Sequence, residues 1–378
     1  MDKAILIYTP KWADIDLGSY HPLKMARLER THDLMKACGL LERAGVGVRE
    51  PVEANEEALR LVHRSEYIRV AKFLSDGGSV ASPWKYGLGT ADNPIVQGMY
   101  EIAALAVGGT VLAAQLIIEG GTGAAFNIGG GFHHAHAAAA SGFCLFNDVA
   151  IAIHHILRTS EGDARVAYID VDAHHGDGVE QAFFQTDRVL TISVHESGRY
   201  LFPGSGFADE IGKGAGAGYA VNLPLAPFTD DETYIWAFHE IVPPLVEAFQ
   251  PDVLVTQLGA DTHYRDPLTH LCLTTSGYLA VVRQMKRLSQ GRWLATGGGG
   301  YDTEVVPRCW TLAFAEMAEV NLAQPIPKSV ASDYPTTQGQ LRDHDGPHLS
   351  EERLETARAF AEESVAAVRR HVFPRHGL

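Results

Sequence analysis

Residues 168–178 read YIDVDAHHGDG, three aspartates and two histidines directly behind the apolar run RVAYI. Side chains alternate between faces along an extended chain, so Asp170, Asp172 and His174 share one face. Carboxylates and imidazoles are ligands for a divalent ion. Asp172 and His174, joined by Asp261 at the end of the later run DVLVTQLGAD, would supply two carboxylates and one imidazole. Three protein ligands with a position left for water is the pattern of a catalytic rather than a structural zinc. The plain alternative, that these acids cap helices or pair with basic residues, would serve for Asp261 alone. It does not serve for the cluster, because unpaired buried carboxylates are too costly to accumulate without a counter-cation.

His133 and His134 are adjacent in the glycine-rich stretch GGGFHHAHA. Asp170 and Asp177, not needed as ligands, can each orient one imidazole and raise its basicity, making two Asp–His dyads beside a metal-activated water. His136, His154 and His155 read as ordinary solvated or core histidines. Tyr301 follows four glycines. Glycines suit a loop that approaches a ligand or takes unusual dihedrals, and a phenol held there can donate to a developing oxyanion; the alternative is a turn tyrosine packed on the surface. The GxGxxG-like GKGAGAG (212–218) precedes the strand-like YAVNLPL rather than opening a helix, which argues against a dinucleotide site. GGTG (120–123) reads as the stop of a helix.

These residues need strands whose ends they can occupy. Apolar runs at 4–9, 124–131, 165–173, 189–195, 252–261 and 292–300 read as strands buried on both faces, and helical patterns at 22–39, 98–120, 145–159 and 230–249 lie between them. The alternation predicts an α/β fold: a single domain over 1–378 with a mainly parallel central sheet, helices on both faces, and the active site at the carboxyl ends of the strands. The stretch 321–348, rich in Pro, Ser, Thr and Gln, reads as a surface connection to a C-terminal helix around 350–370, leaving a catalytic core of about 1–320.

The 31 Lys and Arg against 46 Asp and Glu give a net charge of −15, which disfavours direct nucleic-acid or anionic-membrane binding and favours a cationic substrate. The N-terminal apolar run is too short for a signal-peptide core, and no later segment reads as a membrane span, so a soluble, cytoplasmic protein is expected. Cys38, Cys144, Cys272 and Cys309 have no metal or disulfide spacing and read as buried thiols.

The stretches GGGFHHAHAAAASGFCLFNDVAIA, YIDVDAHHGDGVEQAFF, TISVH, FPGSG, QLGADTHYRDPL and GGGGYDTEVVPRCW, in this order, resemble the zinc-dependent histone deacetylase family, which has the arginase/deacetylase fold. HPLKMARLERTHDLM and YGLGTADNPIVQGMYEIAALAVGGT resemble its class I branch and, within it, the bacterial acetoin-utilisation deacetylases. The resemblance covers about residues 1–320. It implies that Asp172, His174 and Asp261 bind Zn2+, with Fe2+ the alternative, that His133 and His134 are the catalytic pair, and that Tyr301 polarises the carbonyl. Gly142, Phe143 and Phe202 match the walls of an acyl-lysine tunnel, Asp92 an acidic rim residue that grips substrate backbone, and Arg27 a basic residue of an internal acetate channel. K+ or Na+ is implied at two sites: Asp170, Asp172, His174, Ser193 and Val194 near the zinc, and Phe183, Thr186, Val189 and Tyr219 beyond it. Ala173 departs from the leucine common in class I, a matter of packing.

The implied activity is hydrolysis of acetyl or short acyl groups from Nε-acyl-lysine in a protein or peptide. Acetylpolyamines are the alternative substrate, since negative charge suits any cationic amine. A non-catalytic acyl-lysine binder would have lost a ligand or Tyr301, and none is missing. Arginase-like chemistry favours a DAHxD run, where this chain has Gly176.

Overall fold

The six apolar runs become strands buried on both faces because two layers of helices enclose them. The computed structural model describes residues 2–160 and 162–378. Among these residues, eight strands form one sheet: β1 (Asp2–Ile7), β2 (Val46–Arg49), β3 (Thr122–Asn127), β4 (Val166–Asp170), β5 (Val189–Glu196), β6 (Ala220–Leu225), β7 (Val253–Gln257) and β8 (Trp293–Thr296). Their order is β2-β1-β3-β8-β7-β4-β5-β6, and every pairing is parallel. The fold is therefore the expected α/β architecture, with a wholly parallel sheet. The short β2, half polar at the sheet edge, has no apolar run to announce it.

The helices are α1 (Ala26–Ala37), α2 (Glu56–Leu59), α3 (Ser65–Ser75), α4 (Met99–Ile118), α5 (Asp148–Thr159), α6 (Asp177–Phe183), α7 (Asp231–Phe249), α8 (Thr275–Leu288), α9 (Val305–Met317) and α10 (Glu351–His371). One layer packs in the order α1, α9, α8, α7, α10, and the other in the order α3, α4, α5, α6. Side-chain caps set several starts: Asn147 accepts from Ala150 N at 2.9 Å, Asp230 from Thr233 N at 3.0 Å, and Thr274 from Ser276 N at 3.1 Å.

Two expectations need correction. The α4 helix is, by length and composition, apolar enough to cross a membrane, with a mean hydropathy of 1.9, whereas the sequence reading found no such segment. Its apolarity has a packing cause: α4 lies against α3, α5 and β3, and a helix covered on several sides carries little polar surface. Cys38 is only partly buried, while Cys144, Cys272 and Cys309 are buried as expected.

The stretch 321–348 has little regular structure but is pinned rather than loosely laid on the surface. Leu341, Tyr334 and Ile326 are buried, and Asp343 accepts from Arg308 Nη1 and His263 Nε2, each at 2.8 Å.

The sheet has a polar row where its central strands end. Asn127, Thr296, Gln257 and Asp170 are register partners across β3, β8, β7 and β4, and all four are fully buried. Beyond the row the chain turns sharply. Gly131 has φ +98°, and a Cβ there would collide with the Gly297 carbonyl, so the loops after β3 and β8 meet backbone to backbone.

Asp148, the first residue of α5, anchors the loop after β3. It accepts from Gly131 N (2.9 Å), Phe132 N (2.8 Å) and Thr110 Oγ1 (2.6 Å). Burial pushes its carboxyl up, against these three donors. Asp148→Ala strands all three and is expected to cost roughly 2–4 kcal/mol of stability, read from urea unfolding; a loss below about 0.5 kcal/mol would show that the anchor is dispensable.

Candidate active site and metal centre

Four adjacent central strands, β3, β8, β7 and β4, deliver the residues that the sequence singled out. Past the end of β4 the chain bends through Asp172, Ala173 and His174, and Asp172 Oδ1 accepts from His174 N at 3.0 Å, which keeps the two side chains together. The loop after β7 brings Asp261 to them. His174 Nδ1 lies 3.0 Å from Asp172 Oδ1 and 3.0 Å from Asp261 Oδ2, and one ligand atom from each of the three residues falls within 4.8 Å of the others.

The remaining carboxylate oxygens are spoken for. Asp172 Oδ2 accepts from Gln257 Nε2 (2.6 Å) and Gly299 N (2.7 Å), while Asp261 Oδ1 accepts from Ala173 N (2.9 Å). These bonds turn the inner oxygens toward the imidazole nitrogen. A buried set of two carboxylates and one imidazole, with its outer lone pairs satisfied and its inner ones convergent, fits a divalent cation. Burial and the neighbouring Asp172 carboxylate push Asp261 up to about 6. Burial also acts upward on Asp172, but His133 and His174 outweigh it and hold that group well below the usual carboxylate range.

The two adjacent histidines have the expected partners. His133 Nδ1 donates to Asp170 Oδ2 at 2.8 Å and His134 Nδ1 to Asp177 Oδ1 at 2.7 Å, and the two Nε2 atoms are 3.0 Å apart. At that distance the rings cannot both be cationic. Burial acts downward on both, but on His133 the Asp170 and Asp172 carboxylates prevail and raise it to about 9. Burial and the charge on His133 lower His134 to about 3. His134 is thus the neutral imidazole, able to accept a proton at Nε2. A dication on the three ligands would offset Asp172 and lessen the rise at His133.

Tyr301 lines the same cavity, together with Arg27, His133, His134, Asp172 and His174. Burial and then the Asp261 and Asp172 carboxylates push its phenol well above the ordinary value, which keeps it a donor at neutral pH. Arg27 Nη1 donates to Gly300 O at 2.7 Å, directly before Tyr301. Gly142 and Phe143 line this cavity too, and Phe202 sets its ring edge-on to His134 with centroids 5.0 Å apart. A Cβ on Gly142 would strike the His134 ring.

Asp92 stands apart from the metal cavity. Its backbone carbonyl is 3.1 Å from His21 Nε2, and it borders a neighbouring apolar cavity. Of the residues suggested for monovalent cations, Asp170 and Ser193 are register partners across β4 and β5, and Val194 O accepts from Tyr234 Oη at 3.3 Å. In the second group Phe183 O accepts from Thr186 N at 3.2 Å and Tyr219 O from Thr191 N at 2.9 Å, while Val189 opens β5.

Several supporting residues escaped the sequence reading. Gln257 ends the apolar run VLVTQ as Asp170 ends VAYID, a parallel that could have flagged it. Tyr168 donates to Asp170 Oδ2 at 2.5 Å, and Asp266 accepts from Tyr301 N at 2.8 Å. His136, read as an ordinary loop histidine, lies with Nε2 3.4 Å from Asp177 Oδ2, across that carboxylate from His134. Its other nitrogen is 2.7 Å from Gln181 Oε1.

The chain is similar to known proteins in sequence and in fold. The profile of the Histone deacetylase domain matches residues 21–317. The Acetoin utilization protein AcuC of Bacillus subtilis (strain 168) is 42% identical over 333 residues, spanning 86% of this chain and 85% of that protein. The AcuC protein of Staphylococcus aureus (strain MRSA252) is 37% identical over 325 residues, 84% of this chain and 82% of its own. The crystal structure of an HDAC homolog from Aquifex aeolicus superposes with a TM-score of 0.87 at 29% identity, covering 96% of this chain and all of that one.

Asp261→Ala removes one of three ligands and leaves Ala173 N without its acceptor. Metal content after dialysis against equimolar zinc is expected to fall at least roughly tenfold, and full occupancy would refute the ligand set. The Asp177 hydrogen bond raises the pKa of His136 against its partial burial, so the protonated ring draws on the carboxylate that supports His134. His136→Ala frees Asp177 to raise His134, and the acidic limb of the kcat/KM profile is expected to move to higher pH by on the order of half a unit to one unit; an unmoved limb would leave His136 a packing residue.

Proposed function

The chain belongs to the histone deacetylase family, a deacetylase that hydrolyses amide bonds, and on that premise we propose that it removes acetyl or short acyl groups from Nε-acyl-lysine side chains of proteins. The observation that carries this reading is the convergence of three buried ligand atoms beside the His133–His134 pair and the Tyr301 phenol. Zn2+ held by Asp172, His174 and Asp261, or Fe2+ in its place, would supply Lewis acidity toward the amide carbonyl and lower the pKa of the attacking water.

The remaining work falls to the side chains. His134 Nε2 accepts the proton of the attacking water, and Asp177 on its Nδ1 stabilises the imidazolium that results. With a dication on the three ligands offsetting Asp172, His133, held by Asp170, is the neutral ring of the pair while His134 carries the proton. Because the two rings titrate as one coupled unit, the division of acid and base roles follows the pair. The Tyr301 phenol donates to the carbonyl oxygen as charge develops there. A proton returned from the pair to the lysine nitrogen lets the C–N bond break.

Gly142, Phe143 and Phe202 hold the aliphatic stem of the substrate lysine and keep bulk water away. Asp92 at the rim contacts substrate backbone, and Arg27 faces the departing carboxylate. K+ or Na+ occupies the carbonyl-rich sites around Asp170, Ser193 and Val194 and around Phe183, Thr186, Val189 and Tyr219, bracing the strand that carries the ligands. The net charge of −15 favours cationic substrates generally, and acetylpolyamines are the second reading that this charge supports.

Tyr301→Phe tests the mechanism. It is expected to depress kcat by on the order of 10² to 10³ with little change in KM, as loss of an oxyanion donor does, while folding and metal content stay intact. Near-normal kcat would make the phenol structural. Assay of acetyl-lysine peptides beside acetylspermidine and acetylputrescine tests the substrate class: a higher kcat/KM for either polyamine would replace the lysine reading.

A further inference from the structure

The stretch 321–348 lies outside the catalytic core expected from the sequence, yet it crosses both loops that deliver Asp261 and Tyr301. At one end Thr336 donates from N and Oγ1 to Glu304 Oε2, at 3.1 and 2.6 Å, just past Tyr301. The same hydroxyl accepts from Arg265, which pairs with Asp302 at 3.0 Å. At the other end Asp343 reaches inward, its side chain only 7% exposed. One carboxylate oxygen accepts from Arg308 Nη1 and the other from His263 Nε2 and Thr275 N, each at 2.8 Å, while Asp343 N donates to Thr275 Oγ1 at 2.8 Å. Arg308 stands on α9 and Thr275 opens α8, so Asp343 is tied to two core helices.

His263 carries that fixed point toward the metal ligands. Its Nδ1 accepts from Arg265 N at 3.2 Å, which leaves the ring hydrogen on Nε2 for Asp343 and gives the imidazole one tautomer and one orientation. Only Thr262 separates it from Asp261. Its carbonyl accepts from Asp266 N at 2.9 Å, and Asp266 Oδ2 accepts from Tyr301 N at 2.8 Å, so the same turn supports the phenol. An ion pair with Arg308 alone would serve stability; the link from the second oxygen to His263 is what reaches the site. Catalytic groups need to be held within about 0.5 Å of their working positions by residues that are themselves locked. Resting on the ligand set and the deacetylase reading above, we propose that Asp343, acting through His263, is a positioning residue for the metal centre. It fixes the turn from which the Asp261 carboxylate meets its partners, and the stretch 321–348 is thereby part of the catalytic apparatus.

His263→Asn tests this in the full chain, because its side-chain oxygen can still accept from Arg265 N while the donor to Asp343 is lost. Zinc affinity, measured by competition with a chromophoric chelator, is expected to fall at least about tenfold, as it does when a group supporting a metal ligand is removed. At saturating zinc, kcat on an acetyl-lysine peptide is expected to fall with KM little changed. His263→Gln, which offers an amide N–H near the place of Nε2, is expected to recover most of both losses. In Asp343→Asn one set of donors loses its acceptor whichever way the amide turns. Zinc affinity is expected to fall there too, and no further in the double variant than in the worse single one. Val365→Ala, buried on α10 against α7 and β6, is expected to lower the melting temperature and leave zinc affinity alone. Should His263→Asn fail to fold by its melting curve, Asp343→Asn carries the test. Unaltered zinc affinity and kcat in the folded variants, or additive losses, overturn the proposal and leave Asp343 a residue of stability alone. Failure of the lysine reading leaves a different mark: the unsubstituted protein cleaves no acetyl-lysine peptide, while its zinc affinity still responds to His263→Asn.

Discussion

Mutual repulsion among buried carboxylates governs this structure. Asp170, Asp172 and Asp261 are fully or almost fully buried and gathered at the ends of neighbouring strands. No such cluster survives in a low-dielectric interior unless every oxygen has a donor, an opposing charge or a cation. Backbone N–H groups of Ala173 and Gly299, the Gln257 amide and the Tyr168 phenol satisfy the outer oxygens. Histidines meet several of the rest. What is left over is the convergent face of Asp172, His174 and Asp261, where a divalent ion fits. The catalytic properties proposed for His134 and Tyr301 follow from the same field: the carboxylates hold His133 and His134 so close that only one ring of the pair is charged, and Asp261 and Asp172 help keep the phenol protonated.

The scaffold makes that crowding geometrically feasible. A parallel sheet directs all its strand ends one way, so four central strands can bring residues far apart in sequence to one spot. Glycines then let the loops pass within reach. The carboxylate of Asp261 occupies the space that a Cβ on Gly299 would take, and the loops after β3 and β8 touch at Gly131. Asp148 and Asn147 hold the histidine loop from the start of α5; the Asn147 amide donates to His133 O at 3.2 Å and to Ala135 O at 3.1 Å while its oxygen caps the helix.

Much of this was legible in the sequence, for physical reasons. Strands buried on both faces write themselves as apolar runs, and the charge after them is improbable unless it has work to do. The period of two grouped Asp172 with His174, although the two meet in a bend beyond β4 rather than along the strand, and surplus aspartates implied partners for His133 and His134. Single residues that act through hydrogen bonds left no such mark. Gln257 is marked only by ending VLVTQ as Asp170 ends VAYID, and nothing local distinguishes His136 from a solvated loop histidine. Asp343 lies in a stretch that reads as a loose connection, yet it meets Arg308 and His263, and only the tertiary contacts reveal that. The α4 helix shows why apolarity alone decides little, because burial on several sides and burial in lipid favour the same composition.

The strand order carries a consequence for the nascent chain. β7 and β8 are the last strands to be synthesised, yet they fill the middle of the sheet, between β3 and β4. Until they leave the ribosome, β3 and β4 each present a bare edge to an empty slot, an arrangement that invites pairing with foreign strands. Closing the slot joins the two halves of the sheet and, in the same event, carries Asp261 and Tyr301 to their partners. Metal capture then reports that the slot has closed, and a chain that stalls before that point has no site with which to bind the ion or act on a substrate.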